Sequence, residues 1–127
     1  MSERLTVPSG GDYENVYGYS RAVRVGPHVH VAGTCARGKD LDADTYVQSA
    51  AALRIIVVAL EEAGASARDV VRTVAYVTDM ADADLVARAH REVFAEIKPA
   101  ATMVAVSRLL DPRARVEIEA YAIVPGD

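Results

Sequence analysis

The 127-residue sequence has a single cysteine and no long apolar run. One thiol cannot close a disulfide within the chain, nor supply the several thiolates of a structural zinc site. The longest apolar segments, such as Ile55 to Leu60, are far shorter than the ~20 residues that cross a bilayer. Met1 to Leu5 show no basic segment followed by an apolar one and a small-residue cleavage site. We therefore expect a cytoplasmic protein without a membrane partner.

Basic residues are too few for a nucleic-acid partner. The chain has 14 Lys and Arg against 18 Asp and Glu, a formal net charge of −4. Proteins that bind nucleic acids rely on cationic surfaces that release counterions from phosphates. The composition, 51% hydrophobic and 25% charged, is typical of a globular domain. Because no linker or composition shift divides the chain, we expect one domain over residues 1–127.

Hydrophobic periodicity predicts the element order β-β-α-β-α-β-β. A polar loop with room for a short strand occupies residues 1–18, and a hairpin follows, with strands over Arg21 to Val25 and His28 to Ala32. The first helix begins near Thr45, where Thr45 and Gln48 fit a capping box, and it ends at Gly64. Its predicted buried stripe is Val47, Ala51, Ile55, Val58 and Glu62, widened by Ala50, Leu53, Val57 and Leu60.

The second half of the chain predicts a central strand, a helix and two further strands. Ser66 and Asp69 indicate a capped single turn before the strand over Val70 to Asp79, which is apolar on both faces. Asp82 caps the second helix, and Pro99 ends it. The last two strands, Met103 to Val106 and Val116 to Val124, are expected to pair antiparallel across Leu110 to Arg113.

Two helices of ~15–20 residues can cover one face of such a sheet, but not both. The final strand directs Val116, Ile118, Ala120 and Ala122 to one face and Glu117, Glu119, Tyr121 and Ile123 to the other. The second face mixes apolar, aromatic and charged groups. We therefore expect association with further copies of the chain to bury it.

The common catalytic motifs are absent: the chain has no P-loop, GxGxxG, HExxH or GxSxG. His28 and His30 lie two residues apart on a predicted strand and so share a face. A metal pair there would need a third ligand, and none is evident, so we expect solvent-exposed histidines and no metal or other cofactor.

Two other residue types suit chemistry, each with an ordinary structural alternative. His90 lies within the apolar stripe of the second helix, as a core-edge histidine or as a general base lining a pocket. Cys35 follows a strand end, as a small buried residue or as a nucleophile that needs a thiolate and a nearby base.

Charged side chains extend this set. Glu117 and Glu119 share a strand face, as paired carboxylates of a pocket or as salt-bridge partners in an oligomer. Arg37, Arg72 and Arg108 offer the fork geometry that grips a carboxylate, or they are surface charges.

Several segments, in their order and spacing, resemble the Rid/YjgF family, also known as reactive-intermediate deaminases and endoribonuclease L-PSP proteins. The resemblance runs from Tyr17 to Ile123. The segments are Gly18 to Val23, Val31 to Thr34, Gln48, Ala63 to Ser66, Asp69 to Val71, Tyr76 to Met80, Pro99 to Thr102 and Val116 to Ala120.

The resemblance implies a chorismate-mutase-like α+β fold and a homotrimer whose sheets form a central barrel, with small-molecule ligands between subunits. Members of the RidA type hydrolyse enamine and imine intermediates to keto acids and ammonia without a cofactor. Their pocket corresponds here to Tyr19, the Gly33 and Thr34 backbone, and Glu117, which in the family positions the attacking water.

Departures from that pattern concern the substrate side of the pocket. RidA-type enzymes grip the substrate carboxylate with an arginine where this chain has Ala101. A helix asparagine of those enzymes corresponds to Ala87, a tyrosine to His90 and the pocket cysteine to Met103. His90, Thr34, Cys35 and Arg37 would then supply the polar groups of a pocket suited to a different substrate.

Three functions follow from the resemblance. The first is a hydrolase or deaminase that acts weakly or not at all on 2-imino acids. The second is a non-catalytic trimer that binds a small ligand. Endoribonuclease activity ranks third, because the net charge and the single phenylalanine offer neither a phosphate-binding stripe nor a stacking platform.

Overall fold

A six-stranded sheet with two long helices against one face forms the structure, a computed structural model that describes residues 3–126. The strands are β1 (Arg4–Val7), β2 (Ala22–Val25), β3 (His28–Thr34), β4 (Val70–Val77), β5 (Ala100–Ala105) and β6 (Val116–Ile123). The helices are α1 (Tyr13–Tyr17), α2 (Thr45–Glu62) and α3 (Ala83–Phe94), with 3-10 turns at Gly38–Asp42, Ala67–Asp69 and Met80–Asp82. The α+β class is confirmed.

The order of the strands differs from the sequence-based expectation at the C-terminal end. The sheet runs β1-β2-β3-β6-β4-β5, and β5 pairs parallel with β4. The expected antiparallel pairing of the last two strands is wrong, because β6 instead pairs antiparallel with both β3 and β4. A connection through α3 returns the chain beside β4, which makes β5 an edge strand.

The N-terminal region is more ordered than a polar loop. Residues 1 and 2 of the predicted loop lie outside the described residues, but β1 pairs antiparallel with β2. The short helix α1 was not predicted. Tyr13 and Tyr17 stack on its exposed side with ring centroids 5.5 Å apart, and Gly18 ends it in the left-handed conformation at φ 84°.

The start of α2 was predicted at the correct place with the wrong cap. The carboxylate of Asp44 accepts a hydrogen bond from the Val47 amide at 2.9 Å, as an N-cap residue does. The Thr45 hydroxyl instead donates to Asp82 at 2.6 Å. That contact also occupies the Asp82 carboxylate, so the predicted side-chain cap of α3 does not form.

The buried face of α2 agrees with the predicted stripe only in part. Ala51, Leu53 and Leu60 are buried as predicted, whereas Val58 and Glu62 are exposed. Leu53, Ile56 and Leu60 are at most 1% exposed, whereas Val58 is 52% exposed. Gln48, on the same helix, is also fully buried. Its amide donates to three backbone carbonyls, at Leu41, Ala43 and Arg113, and its oxygen accepts from the Arg115 amide. Gln48 therefore ties α2 to the segment that precedes it and to the segment that precedes β6.

The end of α2 agrees with the prediction. Gly64 adopts φ +82°, and a Cβ at that position would lie 2.7 Å from the Arg24 guanidinium. Both facts require glycine. Arg24 reaches from β2 and donates to the carbonyls of Ala63 and Gly64 at 2.9 and 3.3 Å. The predicted capping box of Ser66 and Asp69 also forms.

The helices cover one face of the sheet, as predicted from their number. Val116, Ile118, Ala120 and Ala122 of β6 point to the helices and are at most 5% exposed. The intervening residues from Glu117 to Ile123 point to the opposite, open face and keep solvent contact. The open face within this chain has no covering layer among residues 3–126.

Candidate functional site

An irregularity in β3 brings three predicted site residues together. The register between β3 and β6 shifts between Val31 and Thr34, as at a β-bulge. Gly33 consequently lies against the Glu117 carboxylate, where a Cβ would come within 2.8 Å of Oε2. Cys35 follows, and its Sγ donates to Glu117 Oε1 at 3.6 Å. Any side chain at this position would displace the end of the Glu117 side chain from its place beside Gly33.

The thiol of Cys35 is held in its protonated form. Burial, followed by the charge of Glu117 and the hydrogen bond to it, raises the pKa of Cys35 to about 12. The thiolate is the nucleophilic form, and at neutral pH this environment does not supply it. Within one chain, Cys35 is therefore a hydrogen-bond donor to Glu117.

Arg21 organises the other side of this cluster. Its Nη1 donates to the Gly33 carbonyl at 2.9 Å and to the Thr34 hydroxyl at 2.8 Å, and its Nη2 donates to the Tyr19 hydroxyl at 2.9 Å. The residue is only 7% exposed. Burial lowers the pKa of Arg21 from its usual range, although the guanidinium remains charged.

Sequence reasoning missed Arg21, although it lies inside the motif from Gly18 to Val23. Its role depends on Thr34 and Gly33, which are more than ten residues further along the chain, so no local pattern indicates it. The available signal was an arginine directly before an apolar strand, where a charged side chain is seldom buried without partners.

Tyr19 and Arg37 flank the cluster. The Arg21 guanidinium lies over the Tyr19 ring, 5.3 Å from its centroid, a cation–π distance. Arg37 donates to the Ser9 carbonyl at 2.8 Å, which ties the segment after β1 to the loop after β3. The structure therefore brings Tyr19, Thr34 and Arg37 near Gly33, Cys35 and Glu117.

His90 belongs to a different place. Its Nε2 is 2.8 Å from the Thr73 hydroxyl, and its ring packs on Phe94 with centroids 4.7 Å apart. Thr73 pairs with Ala120 of β6, so His90 lies on the helix-covered face whereas Glu117 lies on the open face. Burial lowers the pKa of His90, which favours the neutral imidazole at neutral pH.

Ala101 and Met103 lie near His90, on the edge strand β5. Ala101 pairs with Thr73 and Met103 with Ala75, both of which face the helices. A cavity of about 490 Å³ opens beside His90, and Phe94, Lys98 and Pro99 are among its other lining residues. One chain thus carries two separate clusters, which we call the Glu117 cluster (Tyr19, Arg21, Gly33, Thr34, Cys35, Arg37 and Glu117) and the His90 cluster (Thr73, His90, Ala101 and Met103).

The two strand histidines share a face, as predicted. Both are exposed, their rings stack on Tyr121, and His28 Nδ1 hydrogen-bonds the Tyr121 hydroxyl. No group of three His, Cys, Asp or Glu side chains suited to a metal ion occurs within residues 3–126. Over the same described range, no helix has the length and apolar character needed to cross a membrane.

Comparison with known proteins places this arrangement in a family. The sequence profile of the family described as endoribonuclease L-PSP matches residues 12–124. The crystal structure of Rv2704 from Mycobacterium tuberculosis, described as a member of the YjgF/YER057c/UK114 family, has 47% sequence identity and a TM-score of 0.90, and the match covers 96% of this chain and all of that one.

Two curated proteins are also similar to this chain in sequence. The uncharacterized protein SCO2049 of Streptomyces coelicolor is 38% identical over 91% of this chain and 90% of its own length. A RutC family protein of Pyrococcus abyssi is 38% identical over 82% of this chain and 84% of its own length. The chain belongs to the Rid/YjgF family, as its sequence motifs indicate.

Proposed function

We propose that the chain is a hydrolase of the deaminase type that acts on a small metabolite, with no cofactor, in a cleft between the subunits of a homotrimer. The observation that carries the proposal is the Glu117 carboxylate, which lies against Gly33 and accepts a hydrogen bond from Cys35. A carboxylate oriented in this way is suited to general base catalysis.

Glu117 would activate a water for attack on the carbon of a C=N bond. Water adds to that carbon, and one of its protons passes through Glu117 to the nitrogen, which gives a carbinolamine. The hydroxyl proton then moves to the nitrogen by the same route, and the C–N bond breaks to leave a carbonyl and ammonia. Cys35 keeps one carboxylate oxygen occupied by a hydrogen bond. The second oxygen, which adjoins Gly33, is the one we assign to the water.

A second copy of the chain is needed to complete the pocket. The Glu117 cluster and the His90 cluster lie on opposite faces of the sheet, so one chain cannot close them around one ligand. The open face exposes apolar groups, including Val25, Val104 and Ile123 at 38–43%, and the outer edge of β5 is free of strand pairing within residues 3–126. Closure of three sheets into a barrel would bury both features and bring the two clusters of adjacent subunits together.

Ala101 limits the substrate. An arginine at this position would hold a substrate carboxylate by two parallel charge-assisted hydrogen bonds, and the loss of one such buried contact costs about 2–5 kcal/mol. Activity on simple 2-imino acids should therefore be lower by tens- to thousands-fold. His90, Thr34, Cys35 and Arg37 are the polar groups left to select another substrate.

The test is a coupled assay in which a dehydratase generates 2-aminoacrylate and keto-acid release is measured. We expect weak activity in the unmodified protein, a gain of at least about tenfold in Ala101→Arg, and loss of that gain when Glu117→Gln is added. Glu119→Gln is the matched control, since Glu119 is on the same face and bonds Tyr76. Wild-type activity equal to that of an arginine-bearing homologue would contradict the proposal.

A non-catalytic trimer that binds a small ligand is the second candidate, favoured by the same Ala101 and by the protonated Cys35. It predicts that a metabolite raises the unfolding temperature without turnover, since a ligand of the folded state stabilises it. A reaction that is lost in parallel with binding in His90→Ala and Glu117→Ala would exclude this candidate. We propose no nucleic-acid partner.

A further inference from the structure

A second cavity, of about 280 Å³, lies between α2 and the end of β1. One wall is the end of β1 and the segment after it, from Val7 to Ser9, and the other is a face of α2. The volume is near the lower end for small-molecule sites. Its lining includes Arg54 and Val58, which the proposed reaction does not use, together with Arg21 and Arg37 of the Glu117 cluster.

The cavity concentrates positive charge in an acidic chain. Arg21, Arg37 and Arg54 line it against one acidic residue, Glu62, whereas the whole chain carries a net charge of −4. Within residues 3–126, none of the three arginines has a carboxylate within 4.0 Å. Guanidinium groups in such surroundings attract an anion, most strongly where water is partly excluded.

Arg21 shows that part of this charge is shielded from water. Only 7% of the residue is exposed, and its Nε has no hydrogen-bond partner among the described residues. A buried charge without an opposite charge is costly. Glu117 lies near enough to stabilise the charged form of Arg21 but forms no ion pair with it.

The remaining lining is apolar. Ile55, Val58 and Ala59 present one side of α2, and Val7 and Pro8 lie across from them. Val58 is 52% exposed, an aliphatic group in contact with solvent within the cavity wall. An occupant would bury this surface, so a fully polar anion such as free phosphate fits less well than one with an apolar body.

We propose that this cavity binds a small organic carboxylate with an aliphatic or aromatic body. The carboxylate is held by the arginines of the cavity, and the body packs on Ile55 and Val58. The proposal goes beyond the function above, because the α2 residues belong to the helix layer and Glu117 lies on the other face of the sheet. Arg21 and Arg37 belong to both the cavity and the Glu117 cluster, and Arg21 donates to the Gly33 carbonyl and the Thr34 hydroxyl.

The probes are hexanoate, its neutral counterpart hexanamide, and acetate, which has the charge without the body. Titration into the full protein is followed by backbone amide shifts in NMR. We expect hexanoate to shift the amides of Ser9 and Ala59 with millimolar affinity and to bind more tightly than either control. Equal binding of hexanoate and hexanamide, shifts confined to the residues around Glu117 or His90, or no binding would each overturn the proposal.

Charge variants on exposed positions provide the second test. Arg54→Gln should weaken hexanoate binding about three- to fivefold, with Arg68→Gln, an exposed arginine outside the cavity, as its control. Glu62→Gln should tighten binding about two- to threefold, with its neighbour Glu61→Gln as control. If the cavity variants and their controls changed the affinity equally, the carboxylate would not be held by this cavity, and the proposal would fail.

Discussion

The two faces of β6 differ in how completely one chain covers them. Toward the helices, Ile118 and Ala122 are fully buried, and on the opposite face Ile123 is 38% exposed beside partly exposed Glu117 and Tyr121. Neighbours along one strand therefore meet opposite environments, because side chains alternate and only one layer of helices is present. The covered face holds the core that stabilises the fold, and the open face is free to carry ionisable groups.

Truncation of matched isoleucines should separate the two faces most clearly. Ile118→Ala removes a fully buried side chain and should lower the free energy of unfolding by about 2–5 kcal/mol. Ile123→Ala should cost about 1 kcal/mol or less in dilute protein, since part of the side chain is already in water. Denaturant unfolding measures both.

Protein concentration sharpens the same comparison. If copies of the chain cover the open face, as proposed, the cost of Ile123→Ala grows with protein concentration and the sedimentation profile shifts to a smaller species. Equal costs for the two variants at low concentration would contradict the difference between the faces.

Gly33→Ala should give the next largest loss in the free energy of unfolding. The added Cβ would lie 2.8 Å from Glu117 Oε2, so the carboxylate must move and its bond to Cys35 must lengthen. We expect a loss of about 1–3 kcal/mol in unfolding free energy, together with loss of the hydrolytic activity proposed above. Gly11→Ala, where the nearest atom is 3.9 Å away, is the control and should change little.

The rate at which Cys35 is alkylated measures how strongly its thiol is held in the protonated form. Because its pKa is raised to about 12, the thiol should react slowly with iodoacetamide at pH 8 and accelerate only above pH 9. Removal of the nearby charge in Glu117→Gln should raise the rate several-fold at pH 9, and Glu119→Gln should not. Rapid reaction of the unmodified protein at pH 8 would contradict the assigned environment.

The same shift affects stability at high pH. The folded state holds the Cys35 proton more tightly than the unfolded chain, whose thiol has an ordinary pKa near 9.0. The contribution is therefore complete below pH 9 and is lost as the pH rises from 9 towards 12. Cys35→Ser should weaken the pH dependence of unfolding in that range.

The smallest effect is expected at the end of α2. Arg24→Gln removes the charged donor at the carbonyls of Ala63 and Gly64 and should cost about 0.5–1 kcal/mol through loss of the interaction with the helix terminus. Arg72→Gln, on the open face, loses no such contact and should be near neutral in dilute protein. Thermal unfolding of the two variants compares the faces once more.

Local signals predicted the elements that depend on neighbouring residues. The period of α3, the apolar run of β4, the glycine that ends α2 and the Ser66 capping box each involve residues within a few positions. The predicted N-cap of α2 was wrong because the Thr45 hydroxyl donates its hydrogen bond to a distant side chain, Asp82. No local pattern contains that competition.

Long-range arrangement explains the other differences. Pairing of β5 with β4 depends on the path through α3, and hydrophobic period does not distinguish it from a final hairpin. The stripe from Val47 to Glu62 was assigned to the core from its helical spacing. Part of it, with Ile55, Val58 and Glu62, lines the cavity beside β1 instead, and spacing alone does not determine which edge of a stripe faces the sheet.

The candidate site shows the same division. Family motifs indicated Tyr19, Gly33 and Glu117, and chemistry indicated Cys35 and His90. Their grouping into two clusters could not be predicted, since it depends on the bulge in β3 and on the register of β4 with β6. Arg21 was missed for the same reason.

The position of β6 has a consequence for the order of events during biosynthesis. β6 pairs with both β3 and β4, so it joins the β1-β2-β3 unit to the β4-β5 pair, yet it is translated after all five. A nascent chain can form the first hairpin and the helices early, but the two parts of the sheet stay apart until this strand emerges. Until then β3 and β4 present unpaired edges, the state in which a chain most needs protection from aggregation.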